Sequence, residues 1–209
     1  MLMSNVVHSM LLYGAPVWAN KMSKKGMSEL AKVQRRIALR VASAYRTSST
    51  DAVLVITGIP PIDLQALKRK AIYDNRLRPE TGEVREEAES MLNRTWQGRW
   101  DSDEAKGRWT HKIISDISRW RNRRHGHTDY WLTQALTSHG CFSHYLHKIG
   151  KLGTPECWYC GHNDDDAFHT IFECDAWETR RFRVETEIGG RLQPENMMDH
   201  MLKDKQTWD

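Results

Sequence analysis

Apolar positions recur every three or four residues along most of this chain, and nowhere do they alternate for long with polar ones. Met27, Leu30, Val33, Ile37, Val41 and Ala44 form one such stripe, with Lys32, Arg35, Arg36 and Arg40 between them, and predict a helix over 26–45. Ser49, Thr50 and Asp51 offer N-cap oxygens for a short helix over 52–56, which Gly58, Pro60 and Pro61 end. Asp63 is placed to cap a further helix reaching about residue 77, before Pro79. Residues 80–104 hold eight acidic side chains against three basic ones and read as an acidic helical spacer. Trp96 and Trp100 along it, and Trp109 in the next element, are expected to pack helices together. Ile113, Ile114, Ile117 and Trp120 mark another amphipathic helix, and residues 130–149 one or two more, closed by Gly150 and Gly153. The predicted class is mostly α, with any strands confined to a small hairpin near the cysteines.

The first twenty residues contain no Asp, Glu, Lys or Arg. Ser4, Asn5, His8, Gly14 and Pro16 interrupt the stretch and no basic residues precede it, which argues against a membrane span or a signal peptide. A helix packed against other protein is expected instead, as in the middle of something larger. With 209 residues, 39% hydrophobic and 28% charged, the composition is that of a globular chain of one to one and a half domains.

The net charge of +4 is modest, so the placement of charge matters more than the total. Residues 20–48 carry eight cations against Glu29 alone, and residues 106–127 carry seven against Asp116 alone. Clusters of this density attract phosphate backbones, and they also occur as solvated helix faces. Lys32, Arg35, Arg36, Arg40, Arg121, Arg123 and Arg124 are the candidate backbone contacts.

The strongest chemical signal is Cys157-Trp158-Tyr159-Cys160, then His169 and Cys174, a C-x2-C-x8-H-x4-C pattern. Two thiolates two residues apart can meet one ion from a tight turn, and an imidazole and a third thiolate complete a tetrahedron. Four protein ligands leave no open position, so the expected ion is a structural zinc. His162 is the competing imidazole, but only one residue separates it from Cys160. Asp164, Asp165 and Asp166 suit the start of a helix carrying His169. Ligands five apart point about 140° away from each other on an ideal helix, so that helix must end or distort near Cys174. Trp158 and Tyr159, exposed on a small knuckle, are candidates to stack on unpaired bases. Cys141 stands alone and is expected to be a buried thiol.

The chain shows no Gly-rich phosphate loop, no G-x-S-x-G elbow, no H-E-x-x-H and no pair of aspartates after an aromatic strand. No catalytic residue is assigned. The blocks Leu11-Leu12-Tyr13-Gly14-Ala15-Pro16-Val17-Trp18, Leu30-Ala31-Lys32-Val33-Gln34-Arg35-Arg36 and Ala44 to Ala52 resemble the region following the palm in reverse transcriptases of non-LTR (LINE-type) retrotransposons. Leu54 to Asp63, Leu132 to Phe142, the cysteine–histidine pattern, Trp177, Arg180 and Arg181 continue the resemblance, toward the jockey and ribosomal-DNA-inserting arthropod elements.

That resemblance implies a thumb-like helical region over 1–79, a helical connector over 80–154, a CCHC zinc module over 155–180 with Cys157, Cys160, His169 and Cys174 as ligands, and a helical tail over 181–209. It also implies descent from an RNA-directed DNA polymerase that copies element RNA from a nicked chromosomal primer. The polymerase and endonuclease centres themselves are expected to lie outside this chain. The expected partners are RNA or DNA and the reverse-transcriptase palm of the parent polyprotein, with no membrane and no small-molecule substrate, in an intracellular and nuclear setting. The alternative is a zinc-stabilised helical adapter that binds protein through Trp96, Trp100, Trp109 and Trp208.

Overall fold

The computed structural model describes residues 2–208, with side chains from residue 4. The described residues form thirteen α-helices and no strand: α1 (Leu2–Leu11), α2 (Ala15–Trp18), α3 (Lys24–Val41), α4 (Thr50–Thr57), α5 (Ile62–Asp74), α6 (Thr81–Asp101), α7 (Arg108–Ile113), α8 (Ile117–Arg121), α9 (Tyr130–Thr137), α10 (Ser143–Lys148), α11 (Glu178–Ile188), α12 (Pro194–Lys203) and α13 (Lys205–Trp208). The mostly-α class therefore holds. The hairpin expected near the cysteines has no residue in a strand: a single turn over 158–160 joins two arms linked by Cys157 N donating to His162 O and Asp165 N donating to Pro155 O, too short a pairing for a ladder.

At the centre of the core lies α4. Its apolar run is buried from Ala52 through Thr57, all the way round the helix, so its neighbours must enclose it. Ser49 caps it, its hydroxyl accepting from Ala52 N at 3.1 Å, a contact worth about 1 kcal/mol. Against it pack α3, α8 and α9, and α6 packs on α8 within the same core. The α6 stripe Val84, Ala88, Leu92, Trp96 and Trp100 recurs every four residues and is buried throughout. Trp120 of α8 is fully buried, its indole N–H donating to Ile56 O at 3.1 Å, and Trp100 donates to Ile114 O at 2.7 Å. Each buried indole thus meets a carbonyl that the helix ends would otherwise leave unpaired. Leu136, Met198 and Met201 complete this cluster from α9 and α12.

Trp109 and Trp208 are half-buried against the same cluster, so the four tryptophans of the adapter reading are occupied with internal packing.

Several helix limits differ from the periodicity. Helix α3 stops at Val41 because Ser43 turns left-handed (φ 53°) and Ala44 N bonds back to Leu39 O at 2.9 Å, a Schellman ending. Asp63 does not cap α5. Its carboxylate pairs with Arg99 at 2.7 Å, while the orphan N–H of Ile62 is taken by the buried Gln34 Oε1 at 2.9 Å. Gln34 also donates to Pro60 O, so one amide on α3 fixes the turn between α4 and α5. That helix ends at Asp74, short of the expected 77.

In the opening segment Leu12 and Ala15 pack on Ile62 and Ala66, whereas Val6, Met10, Tyr13 and Val17 are exposed. The helix that was expected to be covered by protein is covered on one face. Cys141 is also a correction. It lies exposed on the turn after α9, where its backbone N–H is held by Gln134 Oε1 at 2.8 Å, and the expected buried thiol is absent there.

Candidate metal centre and basic surface

Residues 155–174 bring Cys157, Cys160, His169 and Cys174 together, one potential ligand atom from each, all within 4.8 Å of one another. Cys157 Sγ lies 3.9 Å from Cys174 Sγ, and Cys160 Sγ 3.3 Å from His169 Nε2. A tetrahedron with zinc-like bond lengths has edges of about 3.6–3.8 Å, so the donor set fits a four-coordinate ion and is too open for a disulfide. Cys157, His169 and Cys174 are buried, and Cys160 closes the rim.

Local chemistry shapes each arm. The first cysteine pair sits on a turn in which Cys157 N donates to His162 O at 2.8 Å and Gly161 N to Cys157 O at 2.9 Å. Gly161 takes φ +75°, the left-handed conformation that reverses the chain there. His169 begins a single π-helical turn, His169–Glu173, closed by Cys174 N donating to His169 O at 2.7 Å. The anticipated distortion is therefore a π-turn. The wider turn brings side chains five apart toward one side, and π-turns are frequent at functional sites.

His162 is not a ligand in this arrangement. Its ring stacks on that of His169, with centroids 4.3 Å apart. His169 Nδ1 is buried without a hydrogen-bond partner among the described residues.

The three aspartates divide the labour. Asp166 Oδ1 accepts from His169 N at 2.8 Å, the expected helix-start role. Asp165 is buried, and its carboxylate accepts from Ser143 N at 3.0 Å and Thr170 Oγ1 at 2.6 Å, while its carbonyl accepts from His144 N. It ties the π-turn to α10. Asp164 is exposed and pairs with His144 at 2.6 Å. On the far side Arg181 donates to Ile171 O and Cys174 O. Neither the Asp165 nor the Arg181 brace was legible beforehand, since each depends on partners distant in sequence or on backbone carbonyls.

Burial pushes the Cys174 thiol up to about 11, whereas the backbone N–H of His162 holds Cys160 below its ordinary value. An ion binding here must displace the Cys174 proton. A divalent ion on three thiolates and a neutral imidazole fills the site completely, supplying a cross-link and no reactive position.

The candidate phosphate contacts divide into two groups. Arg35 is internal: it donates to Thr50 Oγ1, Arg46 O and Ser48 O and clamps the loop between α3 and α4. Arg121 donates to Glu89, Asn93 and Gly58 O, and Arg123, half-buried, lies 4.2 Å over the Trp120 ring and donates to Trp120 O. Burial lowers the Arg123 pKa. The Lys32 ammonium is exposed and pairs with Glu29 at 2.7 Å. Arg36, Arg40 and Arg124 are exposed. Trp158 and Tyr159 are 71% and 66% exposed on the knuckle, and Tyr159 meets Trp177 edge-on at 5.1 Å with Arg180 over the Trp177 ring. Trp177 and Arg180 extend the aromatic surface beyond the two residues picked out from the pattern.

These features define a helical protein with a Cys/His cluster compatible with a zinc-knuckle-like metal site, and with no helix long and apolar enough to cross a membrane among the described residues.

The relatives say which kind. Over about four-fifths of its length the chain is a homologue of the Pol polyproteins of type-1 retrotransposable elements R1. It is 32% identical over 186 residues, 81% of its own length and 18% of the relative's, to the retrovirus-related Pol polyprotein of element R1 from Bradysia coprophila. It is 30% identical over 194 residues (85% and 46%) to that of element R1 2 from Nasonia vitripennis. Against the putative 115 kDa protein of element R1DM from Drosophila melanogaster it is 32% identical over 189 residues (82% and 18%). The chain thus spans less than half the length of each. No family model and no solved structure matches.

Proposed function

We propose that this chain is a nucleic-acid-binding segment of a retrotransposon Pol polyprotein, in which Cys157, Cys160, His169 and Cys174 hold a structural zinc ion. It contributes grip and positioning, while the polymerase and endonuclease centres belong to other parts of the polyprotein. The observation that carries this reading is the knuckle's outer face: Trp158 and Tyr159 stand exposed on a backbone held rigid by the ligand set, beside Trp177 and Arg180. Buried aromatics would be the knuckle's own core; exposed ones offer faces on which unpaired bases stack, each worth about 1–3 kcal/mol. Lys32, Arg36, Arg40 and Arg124 supply exposed cations for backbone phosphates. The exposed stripe Val6, Met10, Tyr13 and Val17 is the surface on which the polymerase palm of the same polyprotein would sit. On this reading the assembled protein acts on chromosomal DNA, and so in the nucleus.

Filter binding of single-stranded RNA and DNA across a salt series tests the reading. Affinity should fall steeply with salt, and Trp158→Ala/Tyr159→Ala should weaken it by about tenfold or more at constant salt. An affinity that stays flat from low to moderate salt, or is untouched by the double substitution, would sink it.

A further inference from the structure

The two cation-rich segments converge on one trough. Helix α3 forms one wall, the end of α4 the floor, and the loop 122–129 the other wall, with α1 at one end. The trough has a volume of about 670 Å³ and continues into a second hollow of about 420 Å³, the two sharing Ser4, Thr57, Arg123 and His127. Its floor is aliphatic: Val7, Val33, Ile37, Val41 and Ile56 line it, and Val33 is 37% exposed. Its rim is cationic, with Arg36 and Arg40 on α3 facing Arg123 across the gap, and neither hollow is lined by any Asp or Glu among the described residues.

We propose that this trough docks an amphipathic helix of a partner protein, with aliphatic side chains on one face and Asp or Glu along its flanks. The chemistry of the lining selects that occupant. A phosphate backbone alone gains nothing from the accessible aliphatic side chains Val7, Val33, Ile37 and Val41, and unpaired bases seek aromatic platforms, of which this floor has none. A helix laid in a groove places apolar anchors at i, i+3, i+4 and i+7, and flanking carboxylates then meet the exposed Arg36 and Arg40 along the α3 wall. The rim charges set orientation and encounter rate, while the aliphatic floor supplies the burial. Arg36 and Arg40 are also exposed to nucleic acid, so over this strip the helix and a nucleic acid exclude each other, and the knuckle stays available to either complex.

The test is fluorescence anisotropy on the whole, zinc-loaded chain with three labelled helical peptides of about 18 residues. The first carries Leu at i, i+3, i+4 and i+7 with flanking Glu; the second replaces those Glu by Lys; the third keeps the Glu and replaces the Leu by Ser. The first should bind, and the other two should bind at least about tenfold more weakly. Arg36→Glu/Arg40→Glu, at exposed positions, should weaken the first peptide by about tenfold or more with an unchanged melting temperature. Val33→Ser should weaken it several-fold. Equal binding of the leucine-free peptide would overturn the proposal by making the trough a general polyanion surface, and no binding of the first peptide would overturn it outright. Binding of an oligonucleotide at the knuckle is measured separately, with Trp158→Ala/Tyr159→Ala, so the two readings fail independently.

Discussion

The helical body and the knuckle are built on opposite principles. The body wraps α4, α6 and α8 around a continuous set of buried aliphatic and indole side chains running from Ala38 to Met201. The knuckle has little of this. Over residues 155–177 the buried residues are Cys157, Asp165, Ala167, His169, Phe172 and Cys174, half of them the ligands themselves, and the following helix α11 buries none. Burial stabilises the body, whereas ligand geometry and hydrogen bonds to a few carboxylates and carbonyls hold the knuckle. A segment this short cannot enclose a core of its own, and an ion held by the four clustered side chains would stand in for burial.

The sharpest break of this contrast is removal of the ion. Structural zinc sites of this type contribute on the order of 10–16 kcal/mol at neutral pH. Chelation should therefore abolish hydrogen-exchange protection across 155–181 while leaving α4 and α6 protected. Loss of protection in both regions would show that the body also depends on the metal.

The reverse break is Trp120→Ala. It opens a cavity beneath α4 and leaves Ile56 O without its donor, and it should destabilise the body by about 3–5 kcal/mol in a denaturant titration. The folded fraction should still hold one equivalent of metal, and a metal-free folded fraction would contradict the separation.

Asp165→Ala acts at the seam. It strips partners from Ser143 N and Thr170 Oγ1 and should lower stability by about 1–3 kcal/mol, with faster exchange in α10 and the π-turn together.

The smallest effect is that of pH. With Cys174 pushed up to about 11, its proton is bound in the metal-free site at every neutral pH and must leave when the ion enters. Metal affinity should therefore fall about tenfold for each unit of acidification from this thiol alone. Competition against a chromophoric chelator between weakly alkaline and weakly acidic buffer reads that slope. A pH-independent affinity would mean that Cys174 is not a ligand.

The helices were largely legible because their evidence is local. The four-residue stripe of α6, the Ser49 cap and the α3 stripe each lie within a few turns, and each element formed where the pattern placed it, within a few residues. The Cys/His cluster was legible for the same reason: four such side chains within eighteen residues lie close enough along the chain to be brought together, and the i, i+5 spacing of His169 and Cys174 called for the distortion that the π-turn supplies.

Charge was legible only as a density. The arginines of the second window look alike in sequence, yet Arg121 and Arg123 are held by Glu89, Asn93, Gly58 O and Trp120, while Arg124 faces solvent. Glu89 shows the reciprocal effect. Burial raises its pKa, but the bonds from Lys68 and Arg121 outweigh that and hold it below its ordinary value.

The amino-acid order by itself thus determined the helical class, most element positions, the clustering of Cys157, Cys160, His169 and Cys174, and the kinship, because periodicity, capping and residue spacing act over a turn or two of chain. Tertiary structure alone decided which arginines are structural, that Asp165 and Gln34 bind distant segments together, and that Arg36 and Arg40 face Arg123 across one aliphatic trough. Those outcomes depend on which surfaces meet after the chain has folded, and a side chain's partner across such a contact leaves no periodic trace along the sequence.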